Sequence, residues 1–210
     1  MKKIKGKSVN KWRMYGEIMI AQWFTVIIFS VYWSYSNHTF HELFFFNHPL
    51  LSLSPDFLLA FGCGIGISLL FLFLLIFFSK KVRTNISNAL NDESIQFLLP
   101  TTFGERLLFL FVAITAGVCE EIIFRGVMLY YLNHLPFDLS LLVIGIISSL
   151  LFGVVHLYQG WKGVLLTTYL GAILFFLFVG TGYLWIPITL HFIIDVKFVF
   201  LPNGKKATTS

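Results

Sequence analysis

The chain has 210 residues, 57% hydrophobic and 18% aromatic, with 25 Phe, only 12% charged residues and a net charge of +5. A soluble globular domain carries roughly twice that charged fraction, about 25%. Composition therefore excludes a soluble domain. Alternating ten-residue segments are absent, which excludes a membrane β-barrel and leaves an all-α, polytopic membrane helical bundle.

The first residues are basic: Lys2, Lys3, Lys5, Lys7, Lys11 and Arg13 precede an apolar run over 18–35. This resembles the basic region of a signal peptide. The run is long, however, and ends in Val31-Tyr32-Trp33-Ser34-Tyr35 without a small-residue cleavage site. It reads as an uncleaved first span with an aromatic belt at its far end. A loop over 37–55 follows, rich in His and Phe and free of Lys and Arg, whose 40–46 portion reads as interfacial. A second span is expected over 56–78, with Gly62, Gly64 and Gly66 allowing a close helix neighbour. No strand or phosphate-binding context surrounds those glycines, so they are not a nucleotide loop. Residues 79–106 are the most polar internal stretch and read as a loop.

The third span, expected over 107–132, holds Glu120, Glu121 and Arg125. A turn at 133–136 leads to a fourth span over 139–157. A short loop with Lys162, a fifth span over 164–179, a turn at Gly180-Thr181-Gly182 and a sixth span over 183–200 complete the bundle. Alternating these six spans from an inner N-terminus puts every Lys and Arg except Arg125 on the inner side. Six spans with both termini cytoplasmic follow from the positive-inside rule. The same rule explains the basic balance, so no nucleic-acid partner is expected. Three stretches result: 1–106, the basic arm, two spans and a cytoplasmic loop; 107–200, a membrane core; and 201–210, a short cytoplasmic tail. The two cysteines, Cys63 and Cys119, lie in apolar runs and read as reduced core residues.

Few ionisable groups remain at depth: Glu120, Glu121 and Arg125, then His156, then His191 and Asp195. Each charge in a bilayer costs roughly 2.5–3.5 kcal/mol even on the lower scales, so such groups need partners. Glu121 and Arg125 are four apart, about 40° round a helix, and can form an internal ion pair. Glu120 points about 100° away from Glu121, with its carboxyl left for another helix. Phe152 stands one turn before His156 and can pack on its ring. Asp195 stands one turn after His191 and can accept from one ring nitrogen, setting its tautomer. A carboxylate with two oriented imidazoles can activate a water and protonate a leaving group. The same cluster would equally suit a transporter's ion or proton relay, although internal repeats and mid-span breaks are not evident.

In order and spacing, Glu120-Glu121-x-x-x-Arg125, Phe152-x-x-x-His156 and His191-x-x-x-Asp195 resemble the three-motif signature of the CPBP (Abi) intramembrane proteases. This is the CAAX-protease and bacteriocin-processing group. The resemblance covers about 107–199, with Asp195 in a position where the family has Asn or Asp. It implies an intramembrane endopeptidase acting on membrane-associated or prenylated-type proteins or peptides, in bacteriocin processing or self-immunity, from a bacterial plasma membrane. Glu120 is implied as the base that activates water. His156 and His191 are implied to position water or stabilise the oxyanion, with Glu121 sharing the base role or supporting. Arg125, Phe152 and Asp195 are implied as supporting residues. A catalytically idle immunity or scaffold protein would carry the same residues. Metal use stays open. Glu120, His156 and His191 can complete a zinc site with an open position, or glutamate and histidine can act on water without metal. The His-Glu-x-x-His signature is missing: His41-Glu42 is followed by Phe45 where the second His would stand.

Overall fold

The computed structural model describes residues 10–36, 38–47, 63, 67, 71, 74–75, 78–82 and 97–200. Most of the expected second span, its three glycines, most of the polar loop, the first nine residues and the tail lie outside them. The described residues form helices, with one isolated bridge between Phe45 and Tyr183. Helix α1 runs Lys11–Tyr35. A 3-10 turn follows at Phe40–Phe44. Helix α2, Phe103–Glu121, passes through a π-helical turn, Ile122–Val127, into α3, Met128–Asn133. Then come α4, Leu141–Val155, α5, Gly160–Thr181, and α6, Trp185–Val196. Three of the apolar stretches, Lys11–Tyr35, Phe103–Asn133 and Leu157–Thr181, are long enough to cross a membrane. The protein is an integral membrane protein, a helical bundle as the composition demanded.

Local chemistry fixes where the helices begin. The Asn10 side chain accepts from the Arg13 N–H, and Ser140 accepts from Val143. Thr102 and Glu105 form a reciprocal capping box, each satisfying a donor of the other's backbone. At the far end of α5 the chain needs a left-handed residue to stop, and Gly182 supplies it at φ 79°. Gly182 alone is that turn, because Gly180 and Thr181 continue the helix. Lys162, expected in a loop, lies within α5.

Two layers of contact tie the ends together. At the basic end, Lys11 pairs with Glu105 at 3.6 Å and Arg106 donates to the Val199 carbonyl at 2.7 Å. At the other end, the 40–46 segment packs against the bundle. Leu43 and Phe44 are buried, and Phe46 and Leu184 exchange backbone bonds with Gly182 and Phe44. Cys119 is buried as expected, but Cys63 is exposed.

Without a hydrophobic force between helices in lipid, close approach needs small residues. A Cβ on Gly117 would sit 3.2 Å from the backbone of α6, and one on Gly145 would run into the Phe175 ring. Gly153 is tightest: its Cβ would collide with the Thr168 hydroxyl and stand 2.9 Å from the Val164 carbonyl. Gly153→Ala is therefore expected to force α4 from α5 and to cost about 1–3 kcal/mol, read as a lowered melting midpoint in detergent. His156 lies three residues on, so its placement should be disturbed with it.

Candidate active site

Three helices bring their ionisable groups to one place. The α2–π junction supplies Glu120, Glu121 and Arg125; the C-terminal end of α4 supplies His156; α6 supplies His191 and Asp195. On counting alone, His191 would lie towards the outer side, away from His156. The structure nonetheless brings them together: the Nε2 atoms of His156 and His191 lie 3.7 and 3.9 Å from one oxygen of Glu120.

Glu121 and Arg125 form the expected pair, Arg125 Nη1 donating to Glu121 Oε1 at 2.9 Å, with both side chains 0% exposed. Arg125 Nη2 donates to the Gly171 carbonyl of α5 at 3.0 Å, and its guanidinium lies 4.5 Å over the Phe152 ring. The pair is thus anchored on two further helices. The π-turn that follows is where this occurs. Met128 N–H bonds back five residues to Ile123, and the Ser148 hydroxyl of α4 donates to the Phe124 carbonyl of the widened turn at 3.0 Å. Such turns are frequent at functional sites.

Histidine orientation comes out differently from the spacing argument. His191 Nδ1 bonds Glu121 Oε1 at 2.8 Å, whereas Asp195 lies 3.6 Å from Nε2, too far for a direct hydrogen bond. Glu121, not Asp195, sets the His191 ring, and so joins the imidazole to the Arg125 brace. The i,i+4 rule found Asp195 because it sees only one helix, and Glu121 reaches His191 from 70 residues away. His156 Nδ1 bonds the Phe152 carbonyl at 2.7 Å. That fixes the tautomer with hydrogen on Nδ1 and leaves Nε2 as an acceptor. The Phe152 ring packs on His156 at 4.7 Å, as expected, and edge-on to His191 at 5.8 Å.

Glu120 stands between the two imidazoles. Its Oε2 is 3.7 Å from His156 Nε2 and 3.9 Å from His191 Nε2. Both separations exceed a hydrogen bond and would admit a small molecule turned towards three groups. Accessibility grades the set: Glu121 and Arg125 are sealed, His191 is 4% exposed, His156 11% and Glu120 15%. Glu120 and His156 are less enclosed than the sealed ion pair, although Glu120 Oε2 itself is buried. Sequence reading missed Gln22, whose Nε2 donates to Glu120 Oε1 at 2.7 Å from α1. A primary amide in the middle of an apolar first span was the available signal.

A metal ion was one expectation for Glu120, His156 and His191. Among the described residues no three His, Cys, Asp or Glu side chains are grouped to hold one.

A cavity of about 440 Å³ lies away from this cluster, lined by Trp33, His38, Glu42, Tyr130 and His134 among others. Its carboxylate is already engaged. Glu42 accepts from the Thr39 backbone and hydroxyl and faces His38 at 3.0 Å, bonds that hold its carboxyl below the usual range. That carboxylate caps its own 3-10 turn, and the Tyr130 hydroxyl bonds His38 Nε2 at 2.7 Å.

Residues 102–196 match the family model of the type II CAAX prenyl endopeptidase Rce1-like proteins. Among curated proteins, the "Putative membrane peptidase YdiL" of Bacillus subtilis (strain 168) is 28% identical over 146 residues. That alignment takes in 66% of this chain and 58% of the relative, so the chain spans rather less than two thirds of it. No solved structure matches. The matched region contains every residue of the three motifs, and the resemblance to CPBP intramembrane proteases is borne out.

Proposed function

We propose that this chain, with its CPBP-type core over 102–196, is an intramembrane endopeptidase in which Glu120 activates water. The observation that carries the reading is the convergence of Glu120 Oε2, His156 Nε2 and His191 Nε2 from three helices within 3.9 Å of that oxygen. Glu120 Oε2 and His156 Nε2 are two acceptors facing one point, which suits the two hydrogens of a water molecule. Glu120 takes one proton as the water oxygen attacks the scissile carbonyl. A protonated His191, flanked by Glu121 and Asp195, can donate from Nε2 to the oxyanion that forms. When the tetrahedral intermediate collapses, the C–N bond breaks. The proton on Glu120 passes to the leaving amine, and the products are one new carboxyl and one new amino terminus. The sealed Glu121–Arg125 pair holds His191 in place.

Substrates of this proposal are membrane-associated proteins or peptides, of which prenylated C-termini and bacteriocin precursors are two cases, in a bacterial plasma membrane. The test compares membranes with and without the chain by mass spectrometry of protein termini. New membrane-protein termini that appear only with the chain are expected. Identical termini in both membranes would contradict proteolysis.

A further inference from the structure

Glu120 has two carboxylate oxygens, and the structure treats them differently. Oε1 accepts from Gln22 Nε2 at 2.7 Å. Oε2 is buried, has no hydrogen-bond partner among the described residues, and is the oxygen that both imidazoles face. A carboxylate is otherwise free to turn, since the terminal torsion of Glu is broad and two-fold. Among the described residues, Gln22 supplies the hydrogen bond that would stop it. The amide is oriented by the same contact: an ionised carboxylate only accepts, so the nitrogen of Gln22 must face it. The register of α1 against α2 is fixed alongside. Trp23, the next residue, donates from Nε1 to the Thr115 hydroxyl at 3.3 Å.

We propose that Gln22 is a positioning residue that assigns the two oxygens of Glu120, holding Oε1 so that Oε2 is the one that takes the proton from water. α1 is thereby part of the working site, although it lies outside residues 102–196, the stretch that matches the protease family. An apolar helix in lipid has no solvation reason to carry glutamine in its middle, and a bond to a buried carboxylate gives it one.

This rests on the proteolytic reading, and the test separates the two. A synthetic peptide spanning a junction cut in the membrane comparison is the substrate, and full-length enzyme in lipid nanodiscs is assayed. Gln22→Met keeps the shape and removes the donor. It is expected to lower kcat about ten- to a hundredfold, the scale of one hydrogen bond to a charged group, with KM within twofold. Gln22→His restores an N–H donor at similar reach and should recover at least a third of the wild-type kcat. Trp23→Phe breaks the neighbouring α1–α2 bond without touching Glu120 and should leave kcat within twofold. Positioning is overturned if Gln22→Met keeps wild-type kcat, or if Trp23→Phe lowers kcat as much, since the effect would then be helix docking. If Gln22→Met does not fold, failure of Gln22→His to retain activity in folded protein overturns it equally. An enzyme in which Glu120→Ala still cuts the peptide would remove the proteolytic reading itself.

Discussion

Arg125→Met is expected to be among the most destabilising single changes in this chain, by about 3–5 kcal/mol. Removing one member of a buried ion pair leaves the other charged and unpaired, and Glu121 is 0% exposed. After the change Glu121 would keep only His191, and the Gly171 carbonyl and the Phe152 ring would both lose their cation. The melting midpoint in detergent should fall roughly 6–20 °C. The double variant Glu121→Leu/Arg125→Met removes the uncompensated charge, so part of that loss should return. Activity should not return with it, because His191 would then lack the carboxylate that fixes its ring. A double variant no more stable than the single one would show that the pair is not held together by charge.

Glu120→Gln is expected to have the largest effect on rate. The side chain keeps its size and can still meet Gln22, but it no longer takes a proton. Loss of a general base is worth on the order of 10²–10⁴ in rate. The convergence of both imidazoles on this oxygen favours the upper half of that range. Stability should change little or rise, since a charge in a largely apolar site is replaced by a neutral amide. The opposite signs separate the two adjacent carboxylates. Changes at Glu121 or Arg125 should unfold the core, and changes at Glu120 should disarm a folded one.

That division was legible in the sequence because helix spacing speaks for itself within one helix. Glu121 and Arg125 at i,i+4, and Phe152 one turn before His156, could be paired from the period alone, and the structure bears out both contacts. Contacts between helices leave no such period. Glu121 to His191 spans 70 residues and Gln22 to Glu120 spans 98, and neither could be counted out. Asp195 was assigned a task that Glu121 performs because proximity along one helix was the only visible proximity. The π-turn at Ile122–Val127 was equally hidden, since its widened turn is supported by Ser148 from another helix. The apparent mismatch in depth arose from counting along single spans, which says nothing of how helices pack against one another, and the structure sets both imidazoles within 3.9 Å of Glu120 Oε2.

The most direct measurement is the single-turnover rate at which wild type and Glu120→Gln cut the same junction peptide in nanodiscs. Both enzymes should first be shown to melt at the same midpoint. A fall of about a thousandfold or more is predicted if Glu120 is the group that activates water. Cleavage within tenfold of wild type by a folded Glu120→Gln enzyme would contradict it.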